Sequence, residues 1–275
     1  NGRTVKGTRF TNLKDLGDPA AMALYYQEQG ADEITLLDIT ASPENRATRT
    51  EWVRNTAKQL SIPLTAGGGV KTLEDAAEIL DAGADRVTVN TQAVKNPGLI
   101  TQIANRYGSQ CCTLAIDTRE NSSKENTVLI NGGRTHTKIE LISWIRTAQN
   151  AGAGEILLTS WNRDGTKKGF HIAPTAMAAE ATSLPLIASG GAGCPGHFTE
   201  VFTKTKATAA LAAGILHRGG IHHQTDKGNP ETGRNRGKTM LIPSIDLMEG
   251  RAVQLRRGRE RIITSDKDPV TLAEE

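Results

Sequence analysis

The chain contains the stretch Ile62-Pro63-Leu64-Thr65-Ala66-Gly67-Gly68-Gly69, an apolar run that ends in three glycines. A close copy, Leu184-Pro185-Leu186-Ile187-Ala188-Ser189-Gly190-Gly191, follows 122 residues later. A second motif repeats at the same offset: Gly30-Ala31-Asp32-Glu33-Ile34 against Gly152-Ala153-Gly154-Glu155-Ile156. Generic similarity between strand–helix units is the alternative explanation, but it does not predict one constant offset for two separate motifs. The sequence therefore indicates a two-fold internal repeat, in which half of the fold copies the other half.

Short apolar runs alternate with helical patterns along the whole chain. Seven runs are continuous enough to be parallel strands buried on both faces: residues 33–38, 62–66, 86–90, 111–117, 155–160, 185–189 and 207–212. Amphipathic helices are predicted between them, at 18–29, 73–82, 97–107, 139–151 and 197–203. The extra runs 126–129 and 134–137, around an Asn-Gly-Gly turn, predict a β-hairpin after the 111–117 strand.

This alternation predicts an α/β protein with the (βα)8 or TIM-barrel fold. Seven strands with intervening helices point to a barrel of eight, because an open doubly wound sheet usually has fewer strands.

Composition narrows the possible functions. The 275 residues carry a net charge of +3, and a cluster of Arg and Lys lies in the last fifth of the chain. Because no aromatic residues interleave with this cluster, a solvated face or an anion-binding loop explains it better than nucleic-acid binding. The three cysteines have no metal-ligand or disulfide spacing, and no apolar stretch approaches the roughly 18 residues of a membrane span. We expect a cytoplasmic protein without metal, cofactor, nucleic-acid or membrane partner.

The duplicated glycine turns predict where a substrate binds. In a (βα)-barrel the active site lies at the carboxyl ends of the strands, and glycines there let backbone N–H groups approach an anion. Two such turns predict two phosphate sites on opposite sides of the mouth, and thus a substrate with a phosphate at each end. The first site would use Gly69, Asn90 and Thr91, and the second would use Gly191, Ala213, Gly214 and the loop residues Asp164 and Gly165. The further substrate-binding candidates are Asp38, Thr159, Ser189 and Gly190, with Lys6 near the N-terminus.

Asp117 is the candidate for acid–base chemistry. It ends an apolar run, so we expect it on a rigid strand, facing the mouth between the two phosphate sites. Burial there would tune its pKa. The alternative is a structural ion pair with a neighbouring cation, for which Lys6 is a candidate.

Several motifs resemble the cyclase subunit of imidazole glycerol phosphate synthase, the HisF family. They include Leu37-Asp38-Ile39-Thr40-Ala41, Leu114-Ala115-Ile116-Asp117 and Arg163-Asp164-Gly165-Thr166, and the resemblance runs from residue 1 to about residue 217. It implies a lyase of histidine biosynthesis. The bisphosphate phosphoribulosyl-formimino-AICAR phosphate (PRFAR) would react with ammonia to give imidazole glycerol phosphate and the AICAR nucleotide.

The resemblance also implies a partner and further residue roles. Ammonia would come from a glutaminase subunit, similar to HisH, that forms a heterodimer with the barrel. The family keeps a charged gate at the strand starts, matched here by Glu33, Arg86 and Glu155, although lysine is common where Arg86 stands. Two aspartates, which end the first and fifth strands, act as acid–base groups, and Asp117 matches the second.

The sequence departs from the family in three places. The first-strand aspartate would lie just before Asn1, and Asn162 stands at a loop position where aspartate is common. Residues 218–238 are polar and rich in Gly, Asn and Arg, which predicts a linker instead of a final helix. The segment 239–275 then resembles the first strand, loop and helix start of a sister barrel, the phosphoribosyl-formimino-AICAR ribotide isomerase or HisA family. The strand-end aspartate of that family matches Asp246.

Two arrangements are compatible with this order of a cyclase-like barrel (1–217), a linker (218–238) and an isomerase-like segment (239–275). The segment could insert as the missing first strand, which would bring Asp246 to the mouth as the second acid–base group. Alternatively, it could stay loose as the start of a second barrel. We expect insertion, because an open barrel leaves two unpaired strand edges.

Three functions remain as hypotheses at this point. The cyclase activity is the first. The isomerase activity is the second, although the cyclase motifs of the barrel body argue against it. A catalytically inactive, bisphosphate-binding barrel is the third, supported by the lost first-strand aspartate.

Overall fold

The computed structural model describes residues 18–39, 41, 44, 47–216, 240–248, 251–253, 255, 256, 260 and 261. From residue 248 onward it describes the backbone alone. Lys6 and the linker 218–238 lie outside the described residues, so those two predictions stay predictions.

Helices and strands alternate through the described residues, as the sequence pattern predicts. The helices are α1 (Pro19–Glu28), α2 (Thr50–Ala57), α3 (Leu73–Asp81), α4 (Thr91–Lys95), α5 (Gly98–Tyr107), α6 (Leu141–Ala151), α7 (Ile172–Ala181) and α8 (Pro195–Lys204), with a 3-10 turn at Ser109–Cys111. The strands are β1 (Ile34–Asp38), β2 (Leu64–Gly67), β3 (Arg86–Val89), β4 (Cys112–Glu120), β5 (Asn126–Ile130), β6 (Thr135–Glu140), β7 (Glu155–Ser160), β8 (Leu186–Ser189), β9 (Ala209–Ala212), β10 (Met240–Met248), β11 (Arg251–Val253), β12 (Leu255–Arg256) and β13 (Glu260–Arg261).

Eight parallel strands close into a barrel. Their order is β1, β2, β3, β4, β7, β8, β9 and β10, and β10 pairs with β1 to complete the circle. The hairpin of β5 and β6 extends β4 in antiparallel fashion beyond the barrel. The predicted (βα)8 fold is therefore confirmed.

Strand β10 fills the gap between β9 and β1. It pairs in parallel with both neighbours, with Met240 opposite Ala209 and Asp246 opposite Leu37. At its start, the carboxylate of Asp32 accepts a hydrogen bond from the backbone N–H of Leu241 at 3.4 Å. Insertion of β10, the first part of the 239–275 segment, as a barrel strand is confirmed, and the loose arrangement is wrong for this strand. Residues 262–275, with the predicted helix start, lie outside the described residues.

Some predicted boundaries differ from the observed ones. Strand β4 continues past Asp117 to Glu120 because the antiparallel strand β5 pairs with its last four residues. The helix predicted from residue 139 begins at Leu141, because Ile139 and Glu140 belong to β6. The Glu140 carboxylate caps α6 by accepting hydrogen bonds from the N–H groups of Ile142 and Ser143. At α1 the predicted start is confirmed: Asp18 caps the helix and Pro19 is its first residue.

Apolar side chains pack in two places, as the alternation along buried strands requires. A large cluster lies where the outward strand faces meet the helices, and it includes the fully buried Ile245 of β10. A small second cluster brings together residues of β7 to β10: Leu157, Ile187, Ala209, Leu211 and Ile242. Strand β10 therefore contributes to both.

Shortening the buried side chain of β10 tests the insertion. In the variant Ile245→Ala, loss of packing at a position with 0% exposure should lower the free energy of unfolding by about 3 kcal/mol, measured by urea denaturation. The matched control is Met177→Ala on α7, where the side chain is 50% exposed and the expected change is within about 0.5 kcal/mol. Equal stability of Ile245→Ala and the native chain would contradict insertion.

Candidate active site

The carboxyl ends of the barrel strands surround a cavity of about 230 Å³. Every residue predicted for the mouth lines it, apart from Lys6, which lies outside the described residues. These residues are Asp38, Gly69, Asn90, Thr91, Asp117, Thr159, Asp164, Gly165, Ser189, Gly190, Gly191, Ala213, Gly214 and Asp246. The structure therefore brings the predicted set together, while the role of each residue remains a prediction.

Both glycine turns adopt backbone conformations that other residues rarely take. The φ angles are +107° at Gly68 and +73° at Gly69 in the first turn, and +89° at Gly190 and +104° at Gly191 in the second. A Cβ atom at Gly68 would collide with the backbone carbonyl of Asp38. The duplicated motif therefore encodes two tight turns that expose backbone to the cavity.

Asp117 lies on β4 with its carboxyl group at the cavity. Burial raises its pKa to about 7, and the negative charge of Asp164 adds to this rise. The Asn90 side chain opposes it by donating a hydrogen bond from Nδ2 to Oδ2 of Asp117 at 3.1 Å. A carboxyl group of this kind exchanges a proton readily near neutral pH.

Asp246 reaches the same cavity from β10. Burial raises its pKa to about 7 as well, again with a contribution from Asp164, while a hydrogen bond from Ser244 Oγ at 3.2 Å lowers it. Strands β10 and β4 lie four places apart in the circle of eight. The two aspartates therefore stand on opposite sides of the mouth.

The loop that carries Asp164 is anchored to the end of β4. Asn162 Oδ1 accepts a hydrogen bond from the Glu120 N–H at 2.9 Å, and its Nδ2 donates to the Glu120 carbonyl at 3.1 Å. A carboxylate could accept the first of these bonds but could not donate the second. The Asn162 side chain thus forms a two-bond amide pair with the backbone of Glu120.

Sequence reasoning missed several residues that line the cavity. They are Trp161, Lys167, Ser244 and the hairpin-tip glycines Gly132 and Gly133. Ser244 could have been found from strand alternation, because it lies two residues before Asp246 and shares its face. The hairpin tip could not, because it reaches the mouth through a long-range hydrogen bond from the Asn131 N–H to Thr91 Oγ1 at 2.9 Å.

The predicted gate residues meet at the opposite end of the barrel. Arg86 Nη1 donates to Glu33 Oε2 at 2.6 Å, and Glu33 also accepts from Thr65 Oγ1 at 2.5 Å. Although burial lowers the pKa of Arg86, the carboxylates of Glu33 and Glu155 raise it overall. Burial, with the nearby Glu33, raises the pKa of Glu155. One cation therefore faces two carboxylates at the strand starts.

Comparisons with known proteins show the family to which the chain is similar. Residues 1–222 match the family described as "Histidine biosynthesis protein". The chain is 53% identical to the imidazole glycerol phosphate synthase subunit HisF of Anoxybacillus flavithermus over 218 residues, which are 79% of this chain and 86% of that protein. It is 50% identical to the HisF subunit of Prochlorococcus marinus over 221 residues, 80% of this chain and 86% of that protein.

The chain belongs to the HisF family of histidine biosynthesis proteins. The family match ends at residue 222, so β10 and Asp246 lie beyond it. In the described part of the chain, no helix is long and apolar enough to cross a membrane.

Removing the charge of Asp164 should lower both aspartate pKa values. In Asp164→Asn we expect the pKa values of Asp117 and Asp246 to fall from about 7 but to stay above the ordinary range, because burial is the larger cause. Titration of isotopically labelled aspartate carboxyl groups by NMR measures this. Asp81→Asn, at an exposed position on α3, is the control and should leave both aspartate pKa values unchanged. Unchanged values in Asp164→Asn would contradict the electrostatic coupling.

The same shifts predict how stability depends on pH. Because the folded chain holds these two protons more tightly than the unfolded chain, the free energy of unfolding should fall as pH rises from about 4 to about 7. In Asp164→Asn this fall should be smaller, as measured by urea denaturation at each pH.

Proposed function

We propose that Asp117 and Asp246 are the acid–base pair with which this barrel carries out the cyclase reaction of histidine biosynthesis. The chain is a lyase-type enzyme of the HisF family, to whose curated members it is about 50% identical. The observation that carries the proposal is the cavity position of Asp246, on the inserted strand β10 and across the mouth from Asp117. There Asp246 would act as the first-strand aspartate that the family resemblance implies, whereas the inactive-barrel hypothesis assumes that no such group reaches the mouth.

The two carboxyl groups suit the chemistry of ring closure. A nitrogen that forms a new bond to carbon must lose a proton, and a leaving oxygen or nitrogen must gain one. With pKa values of about 7, one aspartate can be ionised while the other is protonated, so one accepts a proton as the other donates. Their positions on opposite sides of the mouth let them act on two sides of one bound substrate.

The substrate we propose is PRFAR, which carries a phosphate at each end. Each glycine turn offers backbone to one end of the cavity, and Lys167 adds a cation to its lining. A substrate that spans the two turns would hold its reacting centre between the aspartates. The products would be imidazole glycerol phosphate and the AICAR nucleotide.

Replacing either aspartate should reduce turnover, and the two reductions should be of similar size. For Asp117→Asn and for Asp246→Asn we expect kcat with PRFAR and ammonium to fall roughly 10²- to 10⁴-fold, because each loses an acid–base group. An isosteric amide keeps the shape of the site, so the melting temperature serves as the control. Full turnover by Asp246→Asn would contradict the role of β10 in catalysis.

The pH profile gives an independent check. Because one group must be ionised and the other protonated, kcat/KM should pass through a maximum near pH 7 and decline on both sides. Bisphosphate binding without turnover would instead favour the inactive barrel. Opening of the ribose ring of the precursor would favour the isomerase, whose first strand β10 resembles.

We also propose that a HisH-like glutaminase binds at the strand starts and supplies ammonia there. The inward face between this end and the cavity is rich in buried threonines on β1 to β4: Thr35, Thr65, Thr88 and Thr113. Their hydroxyls can accept hydrogen bonds from ammonia along the axis. Glu33, Arg86 and Glu155 would form the entrance to this path.

A substitution at the entrance should affect turnover with glutamine more than turnover with added ammonium. In Arg86→Met, the buried Glu33 loses its 2.6 Å ion pair, so we expect the entrance to rearrange. Glutamine-dependent turnover, assayed with the glutaminase, should then fall several-fold more than turnover with added ammonium, which can enter through the mouth. Arg86→Lys keeps the charge and should preserve the ratio. An equal fall in both assays for Arg86→Met would argue against a path through this end.

A further inference from the structure

Trp161 is placed beside the strand that carries Asp117. It is the first residue after β7, and its backbone N–H donates to the carbonyl of Thr118 on β4 at 2.9 Å. Thr159, two residues earlier, pairs directly with Asp117. The indole lines the cavity, so it forms part of the wall next to the reacting centre.

Contacts from two other elements hold the indole in place. The Arg119 guanidinium lies over the ring, 4.4 Å from its centroid, and Arg119 Nη1 is in turn 2.9 Å from His136 Nε2 on β6. At the hairpin tip, a Cβ atom at Gly133 would come within 3.2 Å of the indole Cδ1. Glycine therefore allows the hairpin to close against the ring edge. The indole is a fixed, flat surface.

The position of Trp161 differs from that of the other two tryptophans. Trp144 belongs to the large apolar cluster between barrel and helices, and Trp52 packs against it. Among the described residues, Trp161 is in neither apolar cluster, nor among the partly buried residues that pack on them. Core packing therefore does not account for an aromatic side chain here.

We infer that Trp161 is the stacking surface for the aminoimidazole ring of the substrate and a determinant of specificity for it. The inference rests on the proposed function, because the PRFAR reaction brings a heteroaromatic ring to this cavity. A planar ring stacks favourably on an indole, and a non-planar side chain at this position would lose that stacking. Arg119 keeps the indole from rotating, so the ring of the substrate is oriented with respect to Asp117.

The experiment compares a ligand that has the ring with one that lacks it. Dissociation constants for the AICAR nucleotide and for ribose 5-phosphate are measured by calorimetry with the native chain, Trp161→Leu and Trp161→Phe. In Trp161→Leu we expect about tenfold weaker binding of the AICAR nucleotide, with ribose 5-phosphate changed less than twofold. Trp161→Phe should keep most of the affinity for the nucleotide, because it keeps an aromatic face.

Trp52→Leu is the matched control. Trp52 also lies under a guanidinium, with Arg49 4.9 Å from its ring centroid, but it is on the outer helix α2. This variant should bind both ligands as the native chain does.

Several results would overturn the inference. They are equal weakening of both ligands in Trp161→Leu, unchanged nucleotide binding in that variant, or no binding of the AICAR nucleotide to the native chain. These measurements need no turnover, so they are separate from the proposed function. A native chain that binds the nucleotide through Trp161 but does not convert PRFAR would contradict the cyclase proposal alone.

Discussion

The closure of the barrel by β10 is the constraint on which the other features depend. Without that strand, β9 and β1 would each present an edge of unpaired N–H and C=O groups, which is costly and prone to aggregation. By pairing with both, β10 satisfies the two edges and adds Ile245 to the outer core and Ile242 to the inner one. The same strand ends at Asp246. Folding of the barrel and assembly of the proposed acid–base pair are therefore one event.

The register of this strand matters as much as its presence. Side chains alternate along a strand, so a shift by one residue would turn Asp246 away from the cavity and send Ile245 into it. Burial resists such a slip, because both side chains are buried: Ser244 faces the interior of the barrel and Ile245 packs among the helices. The hydrogen bond from Leu241 to Asp32 fixes the start of the strand. Hydrophobic packing on the outer face thus sets the position of a carboxyl group on the inner one.

The barrel and most of the mouth could be predicted from the sequence because their signals are local. Continuous apolar runs identify buried parallel strands, and a glycine pair after such a run identifies a turn with positive φ, as found at Gly68 and Gly190. The missed features depend on contacts between distant parts of the chain. Asn162 pairs with Glu120, and the hairpin tip reaches both Thr91 and Trp161. The periodicity of apolar residues does not encode such contacts. For β10 the sequence was compatible with an inserted strand or a loose segment, and only the need to pair the two strand edges favoured insertion.

The two aspartates have similar pKa values, but their hydrogen-bond partners respond differently to protonation. Asn90 Nδ2 can only donate, so a proton on Oδ2 of Asp117 would cost it that hydrogen bond. The hydroxyl of Ser244 can donate to ionised Asp246 or accept from protonated Asp246, so its hydrogen bond can survive in either state. Burial, which raises both pKa values, gives the reactivity near neutral pH that ring closure needs. Burial also makes the ionised carboxylates unfavourable in the folded state. The burial that gives the aspartates their reactivity therefore lowers the free energy of unfolding as pH rises.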